Sequence, residues 1–146
     1  MSERVDKYET TARMNGIPEE IFVALPIIEN AGKIKGVSPK GARGPFGIMP
    51  ATARSLGWKT ADADDPAKAH FIAAGYLKDL EEELGSIEGA LVAYNKGPSK
   101  AKKHGRYQES DYVHRVLAAA KILENPERYG VDLKSRARHF SGHGRR

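Results

Sequence analysis

The chain has 146 residues, the size of one domain, and its zero cysteines exclude disulfides and thiolate metal sites. Its 40% hydrophobic and 29% charged content is that of a soluble globular protein, and an apolar run of eight residues, Ile21 to Ile28, is far too short to span a bilayer. The formal charge of +5 is uneven, with acid-free basic stretches at residues 89–108 and from Leu133 onward, which suits either a polyanionic partner (nucleic acid, anionic lipid or anionic cell wall) or a solvated basic surface.

The first residues, "MSERVDKYETTARMNG", contain no apolar core segment and no small-residue cleavage site, so no secretory signal is expected. "IPEEIFVALPIIEN" predicts a helix over 18–30, opened by Pro18 with Glu19 and Glu20 in the first turn, where the helix dipole favours anions. Ile21, Leu25 and Ile28 form one stripe of that helix, Glu29 borders its apolar face, and Pro26 should kink its last turns. "AGKIKGVSPKGARGPFG" reads as an ordered loop or a short hairpin. Further helices are expected from Pro50 to Gly57, from an Asp65 N-cap with Pro66 at N1 to Gly85, over "SIEGALVAYNKG", and from a Ser110 or Asp111 cap through "VHRVLAAAKIL". No strand pattern, repeat or dividing linker is evident. The expected architecture is a mainly α single domain over residues 1–132, with little or no β-sheet, followed by a basic, flexible tail at 133–146.

Glu29 is singular. Residues 30–61 hold no acid but six cations, Lys33, Lys35, Lys40, Arg43, Arg54 and Lys59. A carboxyl flanked by apolar side chains is poorly solvated as an anion, so its pKa should rise toward the range a general acid needs. The competing reading is a glutamate at a helix C-terminus paired with an arginine.

"EN", "VSPKGARGPFGIMPATA", "ALVAYNKGP" and "DYVHRVLAAAKIL" occur in that order, and together they resemble the lysozyme-like family of soluble lytic transglycosylases and goose-type lysozymes, over roughly residues 17–124. The resemblance implies a lysozyme-like helical fold with a cleft, in which Glu29 is the catalytic acid/base and Ser38 faces the sugar. Met49 is then a cleft contact, Tyr94 orients the glutamate or the substrate, Asn95 contacts the sugar, and Tyr112 is a further cleft residue. Two departures stand out. The family usually has Ser where this chain has Asn30, and commonly Leu-Met-Gln where it has Pro45, Phe46 and Gly47. Phe46 is read either as an apolar wall under a sugar ring or as core packing.

Ordinary glycoside hydrolysis uses two carboxylates. With no second acid in residues 30–61, the resemblance implies a lytic transglycosylase. Glu29 would protonate the glycosidic oxygen of the MurNAc-β-1,4-GlcNAc bond, the 2-acetamido oxygen would assist at C1, and the C6 hydroxyl would close a 1,6-anhydro ring. Asp62, Asp64 and Asp65 remain candidates for a second acid, which would make the protein a goose-type hydrolase. A non-catalytic wall-binding or virion structural protein on the same fold is the other alternative. The histidines lack metal-ligand spacing, no cofactor is expected, and Tyr76 and Tyr129 read as packing. "KAKKHGRY" is not framed by any nucleic-acid motif, so no nucleic acid is expected. The expected partners are peptidoglycan glycan strands, with anionic wall polymers at the basic clusters, for a monomer without a transmembrane segment. Its expected place of action is the bacterial wall, in the periplasm, reached as a phage endolysin through a holin or as a virion enzyme.

Overall fold

A computed structural model of the protein describes residues 2–30 and 41–125. Among them the chain forms seven α-helices: α1 (Ser2–Met14), α2 (Glu19–Asn30), α3 (Pro50–Ser55), α4 (Ala69–Leu84), α5 (Ile87–Lys96), α6 (Pro98–His104) and α7 (Asp111–Glu124). Short 3-10 turns lie at Thr60–Asp64 and Tyr107–Glu109. No strand occurs among the described residues; the nearest thing is an isolated antiparallel bridge between Arg43 and Ile48. The mainly α class expected from the sequence is the one observed. Ser38, Tyr129 and the tail from residue 133 lie outside the described residues.

Helix α2 is the axis of the molecule. Ile21 through Pro26 are all buried, and a helix that is apolar all round must be enclosed on every side. It packs against α7 and α1, while α4 and α5 pack on each other alongside. Phe22 and Leu25 are fully buried, and each contributes about 1.5–3 kcal/mol by leaving water. Pro26 removes the backbone donor that Phe22's carbonyl would have met, yet the helix runs on to Asn30. The last turn therefore emerges from the core with Glu29 half-buried at its end.

The start of α4 differs from expectation. Asp65 does not cap the helix directly: its Oδ1 accepts from the Ala67 backbone N–H at 2.8 Å and its carbonyl accepts from Lys68 and Ala69, making a separate turn. Such a side-chain bond to a nearby amide competes with helix geometry, so α4 begins only at Ala69. Its stop at Gly85, in the left-handed region, is as expected. Ser86 and Ser110 cap α5 and α7 by accepting from Gly89 and Val113.

Two helices were not anticipated. Among the described side chains of α1 only Tyr8, Thr11 and Ala12 are buried, too sparse a stripe to signal a helix by itself. Tyr8 meets the rings of Phe22 and Phe46 edge-on at 6.2 and 5.0 Å, and Thr11 Oγ1 shares a 2.9 Å hydrogen bond with buried His70 Nδ1 of α4. Helix α6 opens with Pro98, buries only Ala101, and carries most of the "KAKKH" charge to solvent.

Candidate active site

Residues 43–48 form a hairpin beside the end of α2. Arg43 and Ile48 exchange backbone hydrogen bonds at 2.9 and 3.0 Å, and Gly47 N–H closes the turn on the Gly44 carbonyl at 3.2 Å. Two contacts fix the hairpin's position. Arg43 Nε donates to Asp64 at 2.8 Å, and Gly44 lies so close to the Ala63 carbonyl that a Cβ there would sit 1.8 Å from its oxygen. On the other side, Asn30 Nδ2 donates to the Pro26 carbonyl at 2.7 Å and to the Pro45 carbonyl at 3.1 Å. The Asn30 departure from the family pattern thus ties the end of α2 to the hairpin turn.

This anchoring brings Gly47 against Glu29. Gly47 has φ +64°, and a Cβ built on it would lie 2.3 Å from Glu29 Oε1. Only a residue without a side chain leaves the carboxyl where it is. From the opposite side, Tyr112 of α7 donates its hydroxyl to Glu29 Oε2 at 2.6 Å. Tyr112 is only 4% exposed, and burial, reinforced by the negative charge of Glu29, pushes its phenol well above the usual tyrosine range. It therefore stays a donor. The carboxyl is gripped between a backbone wall and a phenol.

Of the two parts expected for Tyr94, orienting the glutamate or the substrate, a direct bond to the glutamate is not formed. The Tyr94 hydroxyl donates to the Phe46 carbonyl at 2.7 Å, so it holds the hairpin, and through it Gly47, rather than bonding the glutamate. Burial is again the main reason its phenol is pushed well above the usual range, with the Glu29 charge adding to it. The reading of Phe46 as a wall under a sugar ring is corrected. Its side chain is 0% exposed and stacks on Phe22 at 5.0 Å, so it belongs to the core; an apolar ring in a turn next to a buried helix gains more by leaving water.

A groove of about 580 Å³ adjoins the carboxyl at Gly47. Met49, 42% exposed, and Asn95 both line it, as the sequence implied, and so does Tyr94. Thr52, Tyr76, Lys96 and Lys100 line it as well. Tyr76, read from sequence as packing, stacks at a tilt on Tyr94 with ring centroids 5.7 Å apart while also facing the groove. The sequence marked Asn30 and Gly47 as departures, but not the part that each plays beside the carboxyl.

Among the described residues no acid lines the groove. The three candidate second acids are each engaged elsewhere. Asp62 accepts from the Lys59 N–H at 2.9 Å and pairs with Lys68 at 3.4 Å, and these contacts, the Lys59 bond first, lower its pKa. Asp64 holds Arg43, and Asp65 holds the turn before α4. Among the described residues no group of three His, Asp or Glu side chains could hold a metal ion, and no helix is long and apolar enough to cross a membrane. The arrangement offers one carboxyl, held by a phenol and set against Gly47 of the groove.

Comparison with known proteins agrees with this geometry. Residues 7–114 match the model of the transglycosylase SLT domain. Among curated relatives, the transglycosylase of Enterobacteria phage PRD1 is 36% identical over 73 residues, covering 50% of this chain and 27% of that protein. The membrane-bound lytic murein transglycosylase D of Escherichia coli K12 is 27% identical over 143 residues, covering 83% of this chain and 31% of that protein. The chain thus spans about a third or less of the length of these relatives. With the domain match running from α1 into α7, the chain belongs to the transglycosylase SLT domain family.

Proposed function

We propose that this chain is a lytic transglycosylase domain that cleaves peptidoglycan between MurNAc and GlcNAc, with Glu29 as its single general acid and base. The observation that carries the reading is the Tyr112–Glu29 pair set against Gly47, a residue of the groove, whose lining among the described residues holds no acid. Protonated Glu29 gives its proton to the glycosidic oxygen as the bond to C1 breaks, and the neighbouring 2-acetamido oxygen bonds to C1 in its place. The resulting carboxylate then takes the proton of the C6 hydroxyl. That oxygen displaces the acetamido oxygen from C1 and closes the 1,6-anhydro ring. No water enters the balance, so no second carboxylate is needed to activate one. The internal hydroxyl is favoured because it is already tethered to the reacting sugar.

Tyr112 orients the carboxyl, while Tyr94 and Asn30 hold the hairpin that backs it. Met49 and Asn95 contact the glycan, and Ser38 is assigned to the sugar on the family pattern alone. Asn30 and Gly47, the departures that favour a non-catalytic relative, both serve to seat the carboxyl, which supports the enzymatic reading. The site of action is the bacterial wall, and the basic tail from Leu133 is assigned to attachment on anionic wall polymers. Replacing Glu29 by Gln keeps its size and removes the titrating proton. Turnover of purified murein in a zymogram should fall by a factor of about a hundred or more while the fold survives. A folded Glu29→Gln protein with full muralytic activity would sink the assignment.

A further inference from the structure

The groove that meets Glu29 at Gly47 also carries two lysines, Lys96 and Lys100. They belong to different helices. Lys96 is the last residue of α5 and Lys100 lies in the first turn of α6, but a single residue, Gly97, joins those helices and puts both lysines on one groove. Both are exposed.

Two neighbouring cations are paired, and among the described residues these two lysines are not. Lys102 pairs with Glu83 at 2.7 Å, and Arg106 with Glu109 at 3.7 Å. Neither Lys96 nor Lys100 has a carboxylate within ion-pair reach among the described residues, and the groove lining supplies none. Two ammonium groups on one groove wall, with no carboxylate partner among the described residues, raise the local concentration of anions. In a peptide-bearing strand the muramic lactyl carboxyl is taken up in the amide to the peptide, so the complementary charge must come from the carboxylates of the peptide itself.

We propose that Lys96 and Lys100 form an anion subsite for carboxylates on the peptide substituents of the glycan strand, so that the groove selects peptide-bearing strands by charge. This rests on the peptidoglycan reading above and deepens it from a glycan to an acidic, peptide-substituted one. The subsite is exposed, so each contact is modest, and screening shortens its reach to about 8–10 Å at 0.1–0.15 M salt. Two such contacts together give a preference of about two- to thirtyfold at low salt.

The test compares two preparations of purified peptide-bearing murein free of wall phosphate polymers, one native and one with its carboxylates converted to amides. Binding is read by co-sedimentation and cleavage by kcat/KM, both at low and high salt. The wild-type protein should favour native murein about two- to thirtyfold at low salt, and the preference should shrink as salt rises. In K96Q/K100Q the ratio should fall to near one. In the charge-matched control K102Q/K103Q, which removes the same charge outside the groove, it should stay at the wild-type value. K96R/K100R should retain it. Equal binding of both mureins by the wild type, or an equal loss of preference in the control, overturns the subsite. A wild-type binding preference without cleavage of either murein keeps the subsite and overturns the proposed activity instead.

Discussion

Replacing Gly47 by Ala is the perturbation whose consequence can be worked most closely from the structure. The new methyl carbon would start 2.3 Å from Glu29 Oε1, whereas ordinary contact begins near 3.4 Å, so the carboxyl must retreat by about 1 Å or the hairpin must move. The carboxyl has little freedom to retreat, because Oε2 holds the Tyr112 hydroxyl at 2.6 Å. A displacement of about 1 Å at a reacting group costs on the order of a hundredfold in rate. The backbone adds a separate cost, since alanine at φ +64° is disfavoured by roughly 1–2 kcal/mol. Gly57 provides the control. It has φ +87° and open space around its α-carbon, so Gly57→Ala carries similar backbone strain without touching the carboxyl. Both variants should lose a few degrees in melting temperature, at about 2–4 °C per kcal/mol. Only Gly47→Ala should lose about a hundredfold in turnover of murein. Wild-type turnover in Gly47→Ala, or an equal loss in Gly57→Ala, would show that the backbone does not seat Glu29.

Tyr112→Phe keeps the ring in its buried place and removes the hydroxyl, so kcat should fall about tenfold or more with little change in melting temperature; a wild-type rate would mean the phenol only packs. Phe46→Ala should cost about 3–5 kcal/mol of stability, read in denaturant, because the ring is part of the core. A raised KM with unchanged stability would return Phe46 to the cleft. His70 should make stability depend on pH. Burial, with the Lys7 charge, lowers its pKa below the ordinary value of about 6.5, so above that value neither the folded nor the unfolded chain is protonated there. As pH falls below about 6.5 the unfolded chain gains a proton first, and stability drops until the folded pKa is reached. Melting curves from pH 7.5 to 5 should show this loss in the wild type and less of it in His70→Gln. Parallel curves would show that His70 does not contribute.

What the sequence revealed follows physical lines. Helix α2 was legible because Pro18, the two glutamates after it and an unbroken apolar run all point to one buried helix. Helices α5 and α7 were legible from Ser caps and periodic apolar faces. Helix α1 was not, because Tyr8 acquires its meaning only from Phe22 and Phe46, which lie far along the chain. In the site, the motif order pointed to Glu29, Tyr94 and Tyr112, but the division of labour between the two tyrosines depends on how α5 and α7 stand around the hairpin. The roles of Asn30 and Gly47 were hidden for the same reason, since both arise from the hairpin folding back on α2. Phe46 sits in a turn, where no periodicity tells which way a side chain faces.

The central claim, one carboxyl and no activated water, is tested most directly by the chemistry of the product. Purified murein digested by the protein should yield muropeptides ending in 1,6-anhydro rings, lighter by one water than hydrolytic fragments and resistant to borohydride reduction, as read by mass spectrometry. A predominance of reducible ends would contradict the account and would require an acid in the groove that activates water.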